Sequence, residues 1–149
     1  MVKAWFCFFC FILFFCSQQL WSGSNEKLIV KGYQDVFRQS YQINMGLRTK
    51  LEEVLDLVGD IVSYREAQEF KNDFCANLEK AMGHISKGKE LTRNFSSKQT
   101  EIEKDKLFSE MENNSIQVEE IHEKLFAVLE EIIRIITEAG EAGAEDTKL

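Results

Sequence analysis

Apolar residues recur at steps of three and four positions along most of this chain, which is the spacing of one helix face. Between residues 37 and 61 the series comprises Phe37, Tyr41, Leu47, Leu51, Val54, Val58 and Ile61. This spacing predicts a long helix with coiled-coil character. Asn44 occupies the one slot that lacks an apolar residue, either as a polar residue that sets the register or at a kink near Gly46; we favour the kink.

Turn-forming residues divide the helical pattern into four segments. Ser63 and Glu66 have the spacing of a capping box, as do Thr100 and Glu103. Each box indicates the start of a helix. The polar stretches 94–97 and 113–115 interrupt the apolar spacing and predict two further breaks. The predicted helices span 25–62, 64–93, 100–112 and 115–139.

The last predicted helix has the strongest pattern, because its apolar residues fill about half of the helical wheel. An ordinary surface helix shows an apolar stripe of only about 100°. A half-cylinder of this kind has to be covered by several helices, by a partner or by lipid. The residues that we assign to this core or interaction face are Ile121, Leu125, Val128, Leu129, Ile132 and Ile136.

These elements together predict an all-α protein with one domain over residues 25–139. The expected architecture is an elongated bundle of three long helices plus one short helix, with coiled-coil-like packing. The chain contains no proline. No proline therefore interrupts a long helix in this chain. Small and acidic residues follow from 140 to 149, and we expect them to form a disordered acidic tail.

The N-terminus has the layout of a secretory signal peptide. Lys3 precedes an uncharged apolar run of thirteen residues, 4–16, and small residues follow at 22–24. Such a run matches the h-region of a signal peptide, whereas a membrane-spanning helix needs about 20 apolar residues. We therefore predict that residues 1–24 are a signal peptide and that the protein is secreted. The alternative is that this segment is retained as an N-terminal membrane anchor.

Cleavage would remove three of the four cysteines and leave Cys75 alone. In an oxidising compartment, an unpaired cysteine indicates an intermolecular disulfide or a reactive thiol. The simpler hypothesis, which we favour from the sequence, is a buried cysteine that acts as a small apolar side chain.

Charge is distributed unevenly along the chain. Residues 25–109 are neutral overall, whereas residues 110–149 hold 11 acidic and 3 basic side chains. This acidity argues against a nucleic-acid partner. Five basic residues lie between 80 and 100 against the single acidic Glu90. A short-looped bundle would place the acidic helix against them, and the alternative is a basic patch for an anionic surface.

Residues with specific chemistry are few. Asn94 and Asn113 each begin an N-x-S sequon in a predicted turn. N-glycosylation is therefore expected if the protein is secreted. His84 and His122 are the only histidines. Because we find no set of residues that could hold a metal or act together as acid, base and nucleophile, we expect neither a cofactor nor catalysis.

The sequence leaves two functions open. The first is a secreted helical protein that acts by protein–protein interaction or self-association. The second is an amphipathic-helix carrier of lipid or a small apolar ligand, although few basic residues lie on the polar face of the last helix. If the N-terminal segment is retained, the protein would instead be a membrane-anchored coiled-coil protein.

Overall fold

The computed structural model describes the backbone of residues 23–56 and 65–146, apart from the side chains of 23–24, 65–67 and 139–146. The predicted signal segment up to residue 22 lies outside the described residues, as do most of the first capping box and the predicted helix end at 62. The described chain forms three helices: α1 (Gly23–Asp56), α2 (Arg65–Asn94) and α3 (Glu101–Asp146). None of them is both long enough and apolar enough to cross a bilayer.

Each helix packs against the other two, which confirms the predicted all-helical bundle. Phe37 of α1 lies against Gly88 of α2, whereas Asn44 donates a hydrogen bond to the carbonyl oxygen of Leu78. Since the partner positions fall as the α1 positions rise, α1 and α2 are antiparallel. α3 returns alongside α1, and an ion pair joins Lys104 to Glu26 in the first turn of α1.

The loop between α2 and α3 follows the sequence prediction closely. The Thr100 backbone N–H donates to Glu103 Oε2 at 2.7 Å, and the Glu103 N–H donates to Thr100 Oγ1 at 3.3 Å. These reciprocal bonds form the capping box expected from the sequence. They also lower the pKa of the Glu103 carboxyl. α3 therefore begins where its sequence predicts.

The predicted break at 113–115 does not occur, so the short third helix and the fourth helix are one continuous α3. Asn114 Nδ2 donates to the Glu110 carbonyl at 2.9 Å, and Ser115 Oγ donates to the Glu112 carbonyl at 2.7 Å. Their side chains therefore bond to the preceding turn of the helix instead of ending it. α3 also continues to Asp146, beyond the end predicted at residue 139.

The core consists of two apolar clusters stacked along the bundle. The N-terminal cluster lies near the start of α1 and is formed by Tyr33, Phe37, Ile85, Leu91, Met111 and Val118. The C-terminal cluster is formed by Leu47, Leu51, Val54, Phe74, Leu78, Ala81, Ile121, Leu125, Leu129 and Ile132, with Val128 and Ile136 packed against it while partly exposed. All six residues of the predicted core face on α3 therefore belong to or contact one cluster.

Candidate functional site

Polar side chains occupy the middle of the bundle, where the two apolar clusters meet. Ser40 and Asn44 of α1 are buried, as are Asn114, Ser115 and His122 of α3. The apolar spacing predicts Tyr41 in the buried seam, but Tyr41 is 39% exposed and Ser40 is 2% exposed. The α1 seam thus runs through two polar residues: Asn44, whose slot the apolar spacing identifies, and Ser40, which the spacing does not identify.

Asn44 connects α1 to α2. It is 1% exposed, and its Nδ2 donates to the Leu78 carbonyl of α2 at 3.3 Å. α1 continues through this position, and the interhelical hydrogen bond forms at the slot where the sequence favours a kink near Gly46. A buried polar residue at a seam position can fix the register of packed helices.

A second polar contact joins α2 to α3. His84 Nδ1 lies 3.1 Å from Asn114 Oδ1, and Asn114 is 3% exposed. The described part of the chain contains no group of three or more His, Cys, Asp or Glu side chains that could hold a metal ion. Like the bond from Asn44, the His84–Asn114 contact positions two helices against each other.

His122 lies deep in the same region. Its side chain has no hydrogen-bond partner at Nε2, and the same is true of Asn44 Oδ1. Helices α1 and α3 are parallel, and the Lys104–Glu26 ion pair joins residues 78 positions apart in the sequence. The same offset of 78 positions puts His122 of α3 at the level of Asn44 of α1. Burial lowers the pKa of His122 to about 4. The imidazole is therefore neutral at physiological pH.

The surface of α3 carries an acidic strip, which we define as Glu119, Glu123, Phe126, Glu130 and Ile133. These positions follow one stripe of the helix at three- and four-residue steps. Phe126 and Ile133 are exposed by 46% and 39%, and none of the three carboxylates forms an ion pair with a described residue. Partial burial and the neighbouring Glu123 and Glu120 raise the pKa of Glu119.

A basic groove lies between α1 and α2. It is a shallow, open depression of about 370 Å³ lined by Gln34, Ser86, Lys89, Thr92 and Arg93. The Lys89 ammonium lies 4.3 Å from the centre of the exposed Tyr41 ring. This geometry is a cation–π contact. Neither Lys89 nor Arg93 forms an ion pair with a residue that the structure describes.

α3 packs alongside α2, as the sequence predicts, but its most acidic part does not lie beside the basic stretch 80–98. The His84–Asn114 contact places that stretch beside the first half of α3, whereas the most acidic part of α3 follows residue 118. No ion pair between α2 and α3 occurs among the described side chains. The bundle therefore presents opposite charges on separate surfaces.

The predicted modification positions are all accessible in the described structure. Asn94 is exposed at the last residue of α2, and Asn113 is exposed within α3. Cys75 is exposed on α2, so the buried cysteine favoured by the sequence is wrong. Cys75 directly follows the core residue Phe74. The next position along a helix faces a different direction, and here it faces away from the core.

Comparisons with known protein families, curated proteins and solved structures gave no match to this chain.

Proposed function

We propose that this protein acts by binding another protein surface, and that the acidic strip of α3 is its contact surface. The observation that carries the proposal is the exposure of Phe126 and Ile133 beside carboxylates without a cationic partner among the described residues. Large apolar side chains within one exposed stripe are typical of interaction sites. No catalytic role is proposed, and the partner is a protein or a second copy of this chain.

Secretion is part of the proposal and depends on the predicted signal peptide at 1–24. The exposed Asn94 at the end of α2 agrees with that route, whereas the Asn113 sequon lies inside α3 and its Ser115 is buried. A secreted protein would offer the acidic strip to extracellular partners.

The lipid-carrier hypothesis has less support. α1 and α2 already cover most of the apolar half-cylinder of α3, including Leu125 and Ile132, which are 1% exposed. Lipid carriage would require the bundle to open and expose this surface. Flotation of the protein with vesicles of zwitterionic or anionic lipid tests that hypothesis directly, and co-flotation would favour it over the protein-interaction proposal.

Photo-crosslinking tests the proposed contact surface. A photoreactive phenylalanine analogue is placed at position 126 in the full chain, and the same analogue at the exposed position Ser109 serves as the control. We expect a defined crosslinked protein at position 126 that mass spectrometry identifies and that Ile133→Glu removes. Equal crosslinking at both positions, or no adduct at 126, would contradict the proposal.

A further inference from the structure

We propose that the acidic strip binds the basic groove of a second copy of this chain. This inference rests on the proposed function and names its partner. The two surfaces carry opposite charges, and both contain exposed apolar side chains. Phe126 and Ile133 lie among the carboxylates of the strip, the Tyr41 ring lies against Lys89 of the groove, and the exposed Met45 follows Tyr41 one turn further along α1.

The lengths of the two surfaces also correspond. The strip extends from Glu119 to Ile133, which is roughly four helical turns. Along α1, Gln34, Tyr41 and Met45 follow one helical stripe of roughly three turns. The strip of one copy is therefore comparable in length to the α1 stripe beside the groove of another, and exceeds it by about one turn.

In this contact the charged residues would determine which surfaces pair, and the apolar residues would supply most of the affinity. An exposed ion pair contributes only about 0–1 kcal/mol, so Glu123 and Glu130 alone would not hold two copies together. Phe126 and Ile133 would bury apolar surface against Tyr41 and Met45, which is the favourable term in most associations. Opposite charges then favour this pairing over contacts between like surfaces.

Net charge does not prevent this contact. The full chain carries a formal charge of −7, and residues 25–149 alone carry −8. Salt at physiological ionic strength screens the repulsion between exposed charges that are not close neighbours. Local complementarity between strip and groove therefore decides the interaction.

The contact joins two different surfaces, so each copy would keep one strip or one groove free for a further copy. Assembly would therefore proceed beyond dimers unless it closes into a ring.

The test is a charge exchange between the two surfaces, measured by sedimentation velocity on protein made from the full chain. Lys89→Glu with Arg93→Glu makes the groove acidic, and Glu123→Lys with Glu130→Lys makes the strip basic. We expect each double variant alone to associate about tenfold more weakly than the natural chain, whereas an equimolar mixture of the two recovers the association.

The matched control is Lys80→Glu with Lys87→Glu, which changes the net charge by the same amount on exposed α2 positions outside the groove. We expect this control to associate like the natural chain, since its groove and strip are unchanged. Circular dichroism of each variant checks that the helices remain.

Three results would overturn the proposal: a natural chain that stays monomeric at all concentrations tested, a control that weakens association as much as the groove variant, or a mixture that does not recover. If the purified chain is monomeric while photo-crosslinking at 126 identifies a different protein, self-binding is wrong and the proposed function stands. If neither contact is found, both are wrong.

Discussion

Gly88 and Gly83 lie five residues apart on α2 but in different surroundings. A Cβ atom at Gly88 would overlap the ring of Phe37, which is fully buried in the core. A Cβ atom at Gly83 would have no contact within 4 Å. The absence of a side chain at Gly88 is therefore what lets α1 approach α2 at the level of the N-terminal cluster.

We expect Gly88→Ala to lower the free energy of unfolding by about 1–3 kcal/mol, because the added methyl group overpacks the core. Gly83→Ala is the matched control and should raise it by about 0.5–1 kcal/mol through helix propensity alone. Urea denaturation measures both. Equal effects of the two substitutions would show that the Phe37 contact is not decisive.

His122 makes stability depend on pH. Its pKa is about 4 in the folded protein. The ordinary value in an unfolded chain is about 6.5. Below that value the unfolded chain binds a proton that the folded protein does not, so stability falls as the pH decreases from about 6.5 to about 4. The loss is on the order of 3 kcal/mol.

His122→Met, which has a similar volume and no titratable group, should remove the part of this decline that His122 causes, while the protein stays folded at neutral pH. Urea denaturation across the acidic range down to the folded-state pKa measures the effect, and a proton NMR titration follows the His122 ring directly. A ring that titrates in the folded protein at the ordinary histidine pKa would contradict the burial that we describe.

At the scale of whole elements, α3 shows why local sequence signals can mislead. Asn113, Asn114 and Ser115 are turn-forming residues by composition, yet the helix passes through them because Asn114 and Ser115 are buried and bond to preceding carbonyls. Apolar periodicity cannot detect this arrangement, since the burial comes from α1 and α2 packing around the position. The capping box at Thr100 is predictable, because both of its bonds join Thr100 and Glu103 within the first turn of the helix.

Asn114 and Asn113 provide a matched pair for testing the contact between α2 and α3. Asn114→Ala removes the contact with His84 and leaves a partly buried imidazole nitrogen without its partner. We therefore expect it to lower the free energy of unfolding by about 1–2 kcal/mol. Asn113→Ala, at an exposed position, should change it by less than about 0.5 kcal/mol.

Asn113→Ala also removes a sequon, because Asn113 begins one. Thermal or urea denaturation is therefore measured on protein from a host that does not add N-glycans, so that the loss of a glycan does not affect the comparison. If both variants lose the same stability, the Asn114–His84 contact contributes nothing specific to the packing of α2 on α3.

At the scale of the whole molecule, the sequence predicts an all-helical bundle, while the three-dimensional arrangement determines which charges meet. Periodicity identifies helix faces, so most of the core on α3 follows from spacing. It does not give the register between helices, which here depends on contacts such as Phe37 with Gly88 and Asn44 with Leu78. That register separates the acidic strip from the basic groove, and no composition count could reveal it.

Cys75 is exposed on α2, so an intermolecular bond at its thiol is sterically accessible. If the signal peptide is removed, the secreted protein contains no second cysteine. A disulfide at Cys75 then has to join two molecules. We expect the protein from the medium of secreting cells to migrate partly as a dimer on a non-reducing gel and wholly as a monomer after reduction.

Cys75→Ser should abolish the covalent dimer, whereas Ala76→Cys, at the next exposed position on α2, tests whether any surface thiol gives the same product when Cys75 is absent. An equal dimer yield from both thiols would make the bond a consequence of exposure alone. A monomer on the non-reducing gel would contradict the intermolecular bond but not the strip–groove contact, since that contact is non-covalent and sedimentation detects it independently. The two routes to self-association can therefore be separated by combining Cys75→Ser with the groove variant.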